Sequence, residues 1–219
     1  YKEAGSAENF GEWLDLYHNE KEKRPVCLSE YGGGGAISQH KDNVDWESDI
    51  DPVGVRHYEN YQSQLHEILW KQFSVRKYLW AEFIWCMFDF ASYGRTEGDT
   101  KSLNDKGLCT RERIPKDVYF FYRSVWSSEK TVYITERRHE FRACDVPFVK
   151  VYSNADAVEL CINDVSHGRI SRCELPNDES TVFVWENIKI KPDTKNKICA
   201  KAYFSDRTSR TDYAFWTGK

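Results

Sequence analysis

One stretch, residues 78–90, limits the folds open to this chain more than any other. It reads YLWAEFIWCMFDF and is apolar or aromatic at nearly every position. A run of this kind, without polar alternation, is typical of a β-strand covered on both faces, as in a parallel sheet flanked by helices. We therefore predict a strand here that is buried on both faces.

The segments around this stretch fit the same α/β pattern. Residues 9–20 and 58–73 carry apolar side chains at helical spacing, and a third such stripe follows Pro115, which suits the first turn of a helix. Val26–Leu28 is short, apolar and preceded by Pro25, and is predicted to be a strand. The order helix, strand, helix, strand, helix indicates a parallel α/β sheet or part of a barrel, since two strands cannot close a barrel.

The pattern of apolar and polar residues changes near residue 130. Short alternating runs separated by turn-forming residues are typical of an antiparallel β-sandwich. The predicted strands are residues 132–134, 148–152, 157–162, 181–185 and 198–204, and the predicted turns are residues 153–156, 166–168, 176–178 and 191–193. We therefore divide the chain into an α/β part, residues 1–130, and an all-β part, residues 131–219.

The composition of the 219 residues excludes several functional classes. A net charge of −4 without a long basic run argues against a general nucleic-acid-binding protein. The sequence contains no apolar run of about 18 residues, so no membrane-spanning helix is predicted. The seven cysteines form no C-x-x-C pair, so neither a zinc site nor a thioredoxin-like motif is predicted, and we expect free thiols, with one or two disulfides as the alternative. We expect neither a metal nor a cofactor. Aromatic residues reach 15%, enough for rings exposed in a sugar-binding cleft.

Glu30 is the main candidate for chemistry. It follows the predicted strand and precedes Tyr31 and the glycines Gly32–Gly35. Barrel enzymes place catalytic groups at the carboxyl ends of their strands, and glycines let the backbone approach a ligand closely. A solvated acid before a flexible loop is the alternative. Retention in glycoside hydrolysis needs two carboxyl groups about 5–5.5 Å apart. For the second one, Glu82 and Asp89 are weak candidates, because pairing within the scaffold is the commoner role of such acids.

Four further positions are candidates for substrate binding. Trp85, near the end of the second strand, is either the floor of a sugar site or a core residue. Asn104 and Lys106 supply an amide and a cation near the same strand ends, where a simple turn before a helix is the alternative. His40, in the long polar loop between residues 32 and 54, is a weaker candidate.

Three blocks of sequence resemble the C-terminal half of the barrel of glycoside hydrolase family 2, the family of β-galactosidases and β-glucuronidases. They are RPVCLSEYGGGG at residues 24–35, YLWAEFIWCMFDF at residues 78–90 and NDKGLCTRERIPKDVYFFY at residues 104–122. The resemblance implies that Glu30 is the nucleophile, that Trp85 lines the sugar site, and that Asn104 and Lys106 lie at its mouth. Tyr31, within the same block as Glu30, is a further substrate-binding candidate.

This resemblance implies a fold as well: about the last two β/α units of a (β/α)8 TIM barrel, followed over residues 131–219 by an immunoglobulin-like β-sandwich. The acid/base glutamate of the family and its N-terminal domains have no counterpart in the sequence. We therefore expect a fragment that is inactive alone and whose partners are a carbohydrate substrate and the missing N-terminal domains of the same protein. The compartment stays open between periplasmic or secreted and cytoplasmic.

Three motifs bear on the identity of the sugar. Residues 95–99, with the spacing R-x-E-G-D, and the M-F-D-F block favour the galactosidase-like branch. The N-x-K motif, which contacts the sugar carboxylate in glucuronidases, makes β-glucuronidase-type specificity the alternative. A non-catalytic carbohydrate-binding or structural piece is a third interpretation. We predict hydrolysis of terminal β-linked sugars, with β-galactosides favoured.

Overall fold

A computed structural model of the chain describes residues 7–21, 23–46, 48–49, 54–176 and 180–219. Its first part contains helices α1 (Phe10–Glu20), α2 (Glu59–Phe73) and α3 (Asp117–Trp126), parallel strands β1 (Val26–Tyr31) and β2 (Leu79–Ile84), and an antiparallel pair of short strands, β3 (Phe90–Ala91) and β4 (Leu103–Asn104). The predicted parallel pairing is confirmed, and α2 lies in the connection between β1 and β2. No helix in the described part of the chain is long and apolar enough to cross a membrane.

The helices pack through the stripes that their spacing predicts. Leu65, Leu69 and Phe73 of α2 are fully buried with Val118 and Phe121 of α3 in one apolar cluster. Branched and aromatic residues three and four positions apart share a helix face, which explains why these particular positions meet. The cluster forms the base on which β1 and β2 lie.

The prediction for residues 78–90 is wrong in two respects. The strand ends at Ile84, and β2 is not covered on both faces. Trp80, Phe83 and Met87 keep 66%, 55% and 46% of their surface exposed. The sheet formed by the described residues contains only β1 and β2, so one of its faces has no layer to pack against.

The second part is a β-sandwich. One sheet has the strand order β10 (Val182–Lys189), β7 (Asp145–Ser153), β5 (Val132–Ile134). The five-stranded sheet has the order β6 (Phe141–Arg142), β12 (Ser209–Gly218), β11 (Lys195–Tyr203), β8 (Ala157–Ile162), β9 (Val165–Ser171). Inward side chains of both sheets, including Phe183 and Trp216, form a single buried core. The all-β prediction is thus confirmed at the level of sheet packing.

The five predicted strands of this part correspond to β5, β7, β8, β10 and β11, and the structure adds β6, β9 and β12. The predicted turn at residues 166–168 is wrong, because these residues lie within β9, where Gly168 has a positive φ. Every residue of β9 up to Arg169 is exposed, so the strand has no apolar alternation to reveal it. Residues 177 and 178 of another predicted turn lie outside the described residues.

Polar and aromatic contacts join the helices to the sandwich. The Glu67 carboxylate of α2 accepts hydrogen bonds from the Lys150 ammonium at 2.8 and 2.9 Å and from the Tyr152 hydroxyl. The Tyr133 hydroxyl donates to Asp117 at 2.6 Å, and its ring stacks on Phe120 with 3.7 Å between centroids. These contacts fix the position of α2 and α3 against the second part.

Candidate active site

A cleft of about 200 Å3 opens where β1 and β2 end. We call it the Glu30 cleft, and residues from four segments line it: Phe10, Glu30, Tyr31, Gly32, Trp85 and Lys106. Glu30 is the penultimate residue of β1 and is exposed, and Trp85 follows directly on β2. The structure therefore brings together four of the sequence-predicted site residues at the carboxyl ends of two parallel strands.

The backbone of Trp85 is hydrogen-bonded, whereas much of its ring is exposed to solvent. Its N–H donates to the Tyr31 carbonyl oxygen at 2.8 Å, which continues the pairing of β1 with β2 beyond the last strand residues. The indole packs edge-on against Phe90, and 43% of the side chain is exposed. The Trp85–Cys86 peptide bond is cis. An indole face exposed beside a carboxylate is suited to packing against the C–H face of a sugar.

Lys106 reaches the cleft from a loop that the backbone ties to β2. The Cys86 N–H donates to the Lys106 carbonyl oxygen at 3.1 Å, and the Lys106 N–H donates to the Asn104 side-chain oxygen at 3.1 Å. Asn104 is buried, is absent from the cleft lining and shapes the loop. Of the predicted pair, the structure therefore places the cation in the cleft and the amide behind it.

A buried lysine connects the loops around the cleft. The Lys116 ammonium donates to the carbonyl oxygens of Gly35 and Asp105 at 2.6 and 2.8 Å and to Asp89 Oδ1 at 2.8 Å. Asp89 Oδ1 also accepts the Gly107 N–H at 2.8 Å. Burial raises the pKa of Asp89, and the Lys116 charge opposes that shift. A buried ammonium is tolerated only with such partners, so this group fixes the glycine loop and the Lys106 loop together.

Two glycines are required by geometry. Gly32, next to the Glu30–Tyr31 pair, has φ +137°, a conformation that side-chain-bearing residues rarely adopt. A Cβ on Gly107 would lie 2.2 Å from the Asp89 backbone nitrogen, which is far inside contact distance. Both positions therefore exclude other residues without movement of the backbone around the cleft.

The Tyr31 side chain belongs to the core. Its hydroxyl lies 2.9 Å from the Tyr122 hydroxyl, which lies 2.9 Å from His66 Nδ1, and its ring packs edge-on against Phe73. Burial lowers the pKa of His66 to about 3, so the imidazole is neutral across the physiological range. Tyr31 thus anchors the end of β1, directly beside Glu30.

His40 lies away from the Glu30 cleft. Its Nε2 atom is 2.9 Å from the Ile37 carbonyl oxygen and 3.7 Å from Glu59, and its ring stacks on His139 with 5.6 Å between centroids. Burial lowers its pKa. The structure places His40 in a buried polar cluster beside the start of α2, and it is not part of the cleft lining.

One group of potential metal ligands occurs among the described residues. Asp42, Glu136 and His139 offer ligand atoms within 4.8 Å of one another. However, the Arg142 guanidinium lies 3.0 Å from Asp42 Oδ1 and 2.8 Å from Glu136 Oε2. Arginine is always charged, so it already supplies the positive charge that a cation would bring, and these residues are better described as an ion-paired cluster.

Sequence reasoning missed Phe10 and Lys116. The helical spacing of Phe10 is that of an ordinary core residue, and the ring does stack on Trp13 and pack against Phe73. Lys116 precedes α3 and resembles any polar residue near a helix start. Only the packing of distant segments reveals that the first lines the cleft and the second holds its loops.

The comparisons with known proteins place the chain among enzyme homologues. A family model described as "Domain of unknown function (DUF4982)" matches residues 146–208. A β-glucuronidase of Bacteroides fragilis is 35% identical over 180 residues, covering 81% of this chain and 25% of that protein. A β-galactosidase of Bacteroides ovatus is 24% identical over 137 residues, covering 63% of this chain and 16% of that protein.

A solved structure is similar over almost the whole chain. An FMN-binding β-glucuronidase of Faecalibacterium prausnitzii L2-6 has a TM-score of 0.82 and 32% identity, covering 97% of this chain and 30% of that protein. The homologues of this chain are thus glycoside hydrolases of the β-glucuronidase and β-galactosidase type. The structure matches the C-terminal β-sandwich region of such enzymes, and the chain spans about a quarter of the length of the curated relatives.

Proposed function

We propose that this chain carries the nucleophile side of the active site of a retaining β-glycosidase, with Glu30 attacking the anomeric carbon of a terminal β-linked sugar. The observation that carries the proposal is the meeting of Glu30, Trp85 and Lys106 in one cleft at the ends of two parallel strands. A strand end fixes the direction of a carboxylate, as a nucleophile requires. Homology to β-glucuronidases and a β-galactosidase supports the same reaction class.

The reaction needs a second carboxyl group to protonate the leaving oxygen and later to activate water against the glycosyl–Glu30 ester. Glu30 is the one carboxylate among the described residues that line the cleft, and Glu82 lies on β2 opposite Leu28, outside that lining. We therefore assign the acid/base role to a part of the whole protein beyond these residues, and we expect this chain alone to be inactive.

A larger barrel would supply the acid/base carboxyl group. The exposed apolar side chains of Trp80 and Phe83 support a role for β1 and β2 as strands of a (β/α)8 TIM barrel, because contiguous apolar surface on a sheet is normally covered. In this account the remaining strands and the N-terminal domains of the same protein are the partners of the first part. Residues 131–219 form an immunoglobulin-like domain that supports helices α2 and α3.

Lys106 gives the cleft a preference among sugars. Lys106 lines the same cleft as the nucleophile, and its ammonium would stabilise a carboxylate on the bound sugar through a charge-assisted hydrogen bond. We therefore propose a terminal β-glucuronide as the substrate, which moves the preference away from the galactoside that the sequence blocks favour. The similarity to two β-glucuronidases supports this choice.

A β-galactoside is the second candidate. The sequence at residues 95–99 favours it, as does similarity to the Bacteroides ovatus β-galactosidase. The two candidates differ in the orientation of the C4 hydroxyl and in the group at C6, where only a glucuronide offers a carboxylate to Lys106. This difference makes the two specificities separable by a single substitution.

The test uses the intact protein that contains this chain and compares nitrophenyl β-glucuronide with nitrophenyl β-galactoside. We expect Lys106→Ala to lower kcat/KM for the glucuronide by about 10–100-fold, the value of a hydrogen bond to a charged group, and to leave the galactoside value almost unchanged. Lys101→Ala, on the other side of β4 and exposed outside the cleft lining, is the matched control and should change neither.

Two results would contradict the proposal in different ways. Faster cleavage of the galactoside by the unaltered protein, with no selective effect of Lys106→Ala, would favour the second candidate. Cleavage of neither substrate would leave a non-catalytic carbohydrate-binding or structural role. Calorimetry of residues 131–219 with galactose, lactose and glucuronate would then show whether the sandwich binds sugar.

A further inference from the structure

Two of the free cysteines face each other across neighbouring strands. Cys161 of β8 and Cys199 of β11 are direct partners in the antiparallel register of the five-stranded sheet. They are far apart in sequence, and only the sheet brings them together. The described cysteines are all free thiols, so the two residues of this register pair both carry a thiol.

Both side chains point away from the core. Their strand neighbours Leu160, Ile162, Ile198 and Ala200 are all buried in the sandwich core, whereas Cys161 and Cys199 are partly exposed. Successive side chains of a strand point to opposite faces, so the two sulfur atoms lie together on the outer face of the sheet. Soluble oxidants and reductants can therefore reach them.

The backbone separation suits a disulfide. Asn163 lies two residues after Cys161, and Lys197 lies two residues before Cys199. The Asn163 N–H donates to the Lys197 carbonyl oxygen at 2.9 Å. Hydrogen-bonded pairs recur at every second position, so Cys161 and Cys199 occupy a hydrogen-bonded pair, whose Cα atoms are typically about 5.5 Å apart. Disulfides usually span Cα separations of about 4.4–6.8 Å.

We propose that Cys161 and Cys199 form a reversible redox site on the outer face of the five-stranded sheet, which a small-molecule disulfide oxidises to a cross-strand disulfide. One thiolate attacks the oxidant and releases one thiol, and the second thiolate then attacks the mixed disulfide and releases another. The protein loses two protons and two electrons, and one S–S bond forms as one breaks. This site is independent of the glycosidase proposal.

The geometry also explains why the bond should be reversible. Opposite Cβ atoms in a sheet lie about 4.5–5.5 Å apart, at or beyond the upper limit that a disulfide spans, so closure draws the strands together and leaves the bond readily reduced. Burial raises the pKa of both thiols, and the neighbouring Cys161 raises that of Cys199 further. Because the thiolate is the attacking species, oxidation should accelerate with rising pH.

The experiment treats the full chain, first reduced, with oxidised glutathione at about pH 8. We expect the intact mass to fall by about 2 Da, the two thiol hydrogens, and peptide mapping to link Cys161 with Cys199. Cys161→Ser and Cys199→Ser should each abolish this internal bond. Cys144→Ser is the matched control, since Cys144 is equally part-exposed but lies outside the strand pair, and it should leave the bond intact.

Stability gives a second readout. The bond joins distant positions of the chain, so oxidation should raise the midpoint of thermal unfolding by roughly 5 °C, and dithiothreitol should reverse the rise. A glutathione adduct that persists on either cysteine, an internal bond to another cysteine, or no internal bond at all would each overturn the proposal.

Discussion

The two sheet regions of this molecule differ in how completely they cover themselves. The sandwich closes on itself, and Phe183 and Trp216 of its two sheets are fully buried in one core. The β1–β2 pair leaves Trp80 and Phe83 of β2 more than half exposed. The first region is therefore a complete packing unit by itself, whereas the second has apolar surface that a further layer would cover.

The candidate chemistry lies in the open region. Glu30, Trp85 and Lys106 gather at the ends of the two uncovered strands, whereas the sandwich contributes ion pairs that hold α2 and α3. We therefore expect the sandwich to contribute mainly to stability and the ends of β1 and β2 to contribute mainly to catalysis. Four substitutions, with expected effects of decreasing size, test this difference.

The largest effect is expected for Glu30→Gln in the intact protein. Loss of a nucleophile that forms a covalent intermediate should reduce kcat by about a thousandfold or more. Glu30 is exposed, so the thermal midpoint should hardly change. Steady-state kinetics and thermal unfolding measured together check this outcome, and activity near that of the unaltered protein would refute the assignment of Glu30.

Trp216→Ala should act on stability alone. The indole is 1% exposed in the sandwich core, and truncation of such a ring leaves a cavity that costs about 3–5 kcal/mol in the free energy of unfolding. Denaturant unfolding of the chain measures this loss directly. A loss below about 1 kcal/mol would mean that the sandwich core does not dominate stability.

Glu59→Gln should change how stability depends on pH. Burial and the nearby Asp117 carboxylate raise the pKa of Glu59 to about 8, against the opposing charges of Arg138 and Lys116. The folded state then binds a proton between about pH 4.5 and 8 that the unfolded state has released, so stability falls as the pH rises through this window.

The free energy of unfolding, measured for both proteins from about pH 4.5 to 8, checks this prediction. Glu59→Gln removes the titration, so the unaltered chain should lose on the order of 1–3 kcal/mol relative to the variant across the window. A constant difference at all pH values, or one of the opposite sign, would show that Glu59 is ionised in the fold.

Trp80→Ser should have the smallest effect. The Trp80 side chain is 66% exposed on the uncovered face of β2, so its loss should change the stability of this chain by no more than about 0.5 kcal/mol. It is the matched counterpart of Trp216→Ala. A large destabilisation by Trp80→Ser would show that β2 is covered after all.

The sequence predicts most strands of the sandwich, but it does not predict how much of β2 is exposed. The alternating apolar runs predict β5, β7, β8, β10 and β11, because a half-buried strand must alternate, whereas β9 has no such pattern and was missed. The aromatic run at residues 78–90 predicts burial on two faces, yet hydrophobicity records what a strand can bury and not which neighbours the described chain provides.

The candidate site shows the same limit. A glutamate before glycines marks Glu30 from local sequence, and the block around Lys106 marks a cation near the strand ends. The roles of Asn104 behind the cleft, Phe10 within it and Lys116 beneath its loops depend on contacts between distant segments. Such contacts leave no periodic pattern in the sequence, so the structure was needed to find them.

Covalent labelling of the intact protein tests whether Glu30 is the nucleophile. A 2-deoxy-2-fluoro-β-glucuronosyl fluoride should trap the glycosyl–enzyme ester, because the fluorine slows its hydrolysis more than its formation, and peptide mass spectrometry should locate the sugar on Glu30. The Glu30→Gln variant should stay unlabelled. A sugar found on Glu82, Asp89 or another carboxylate, with Glu30 unmodified, would contradict the account.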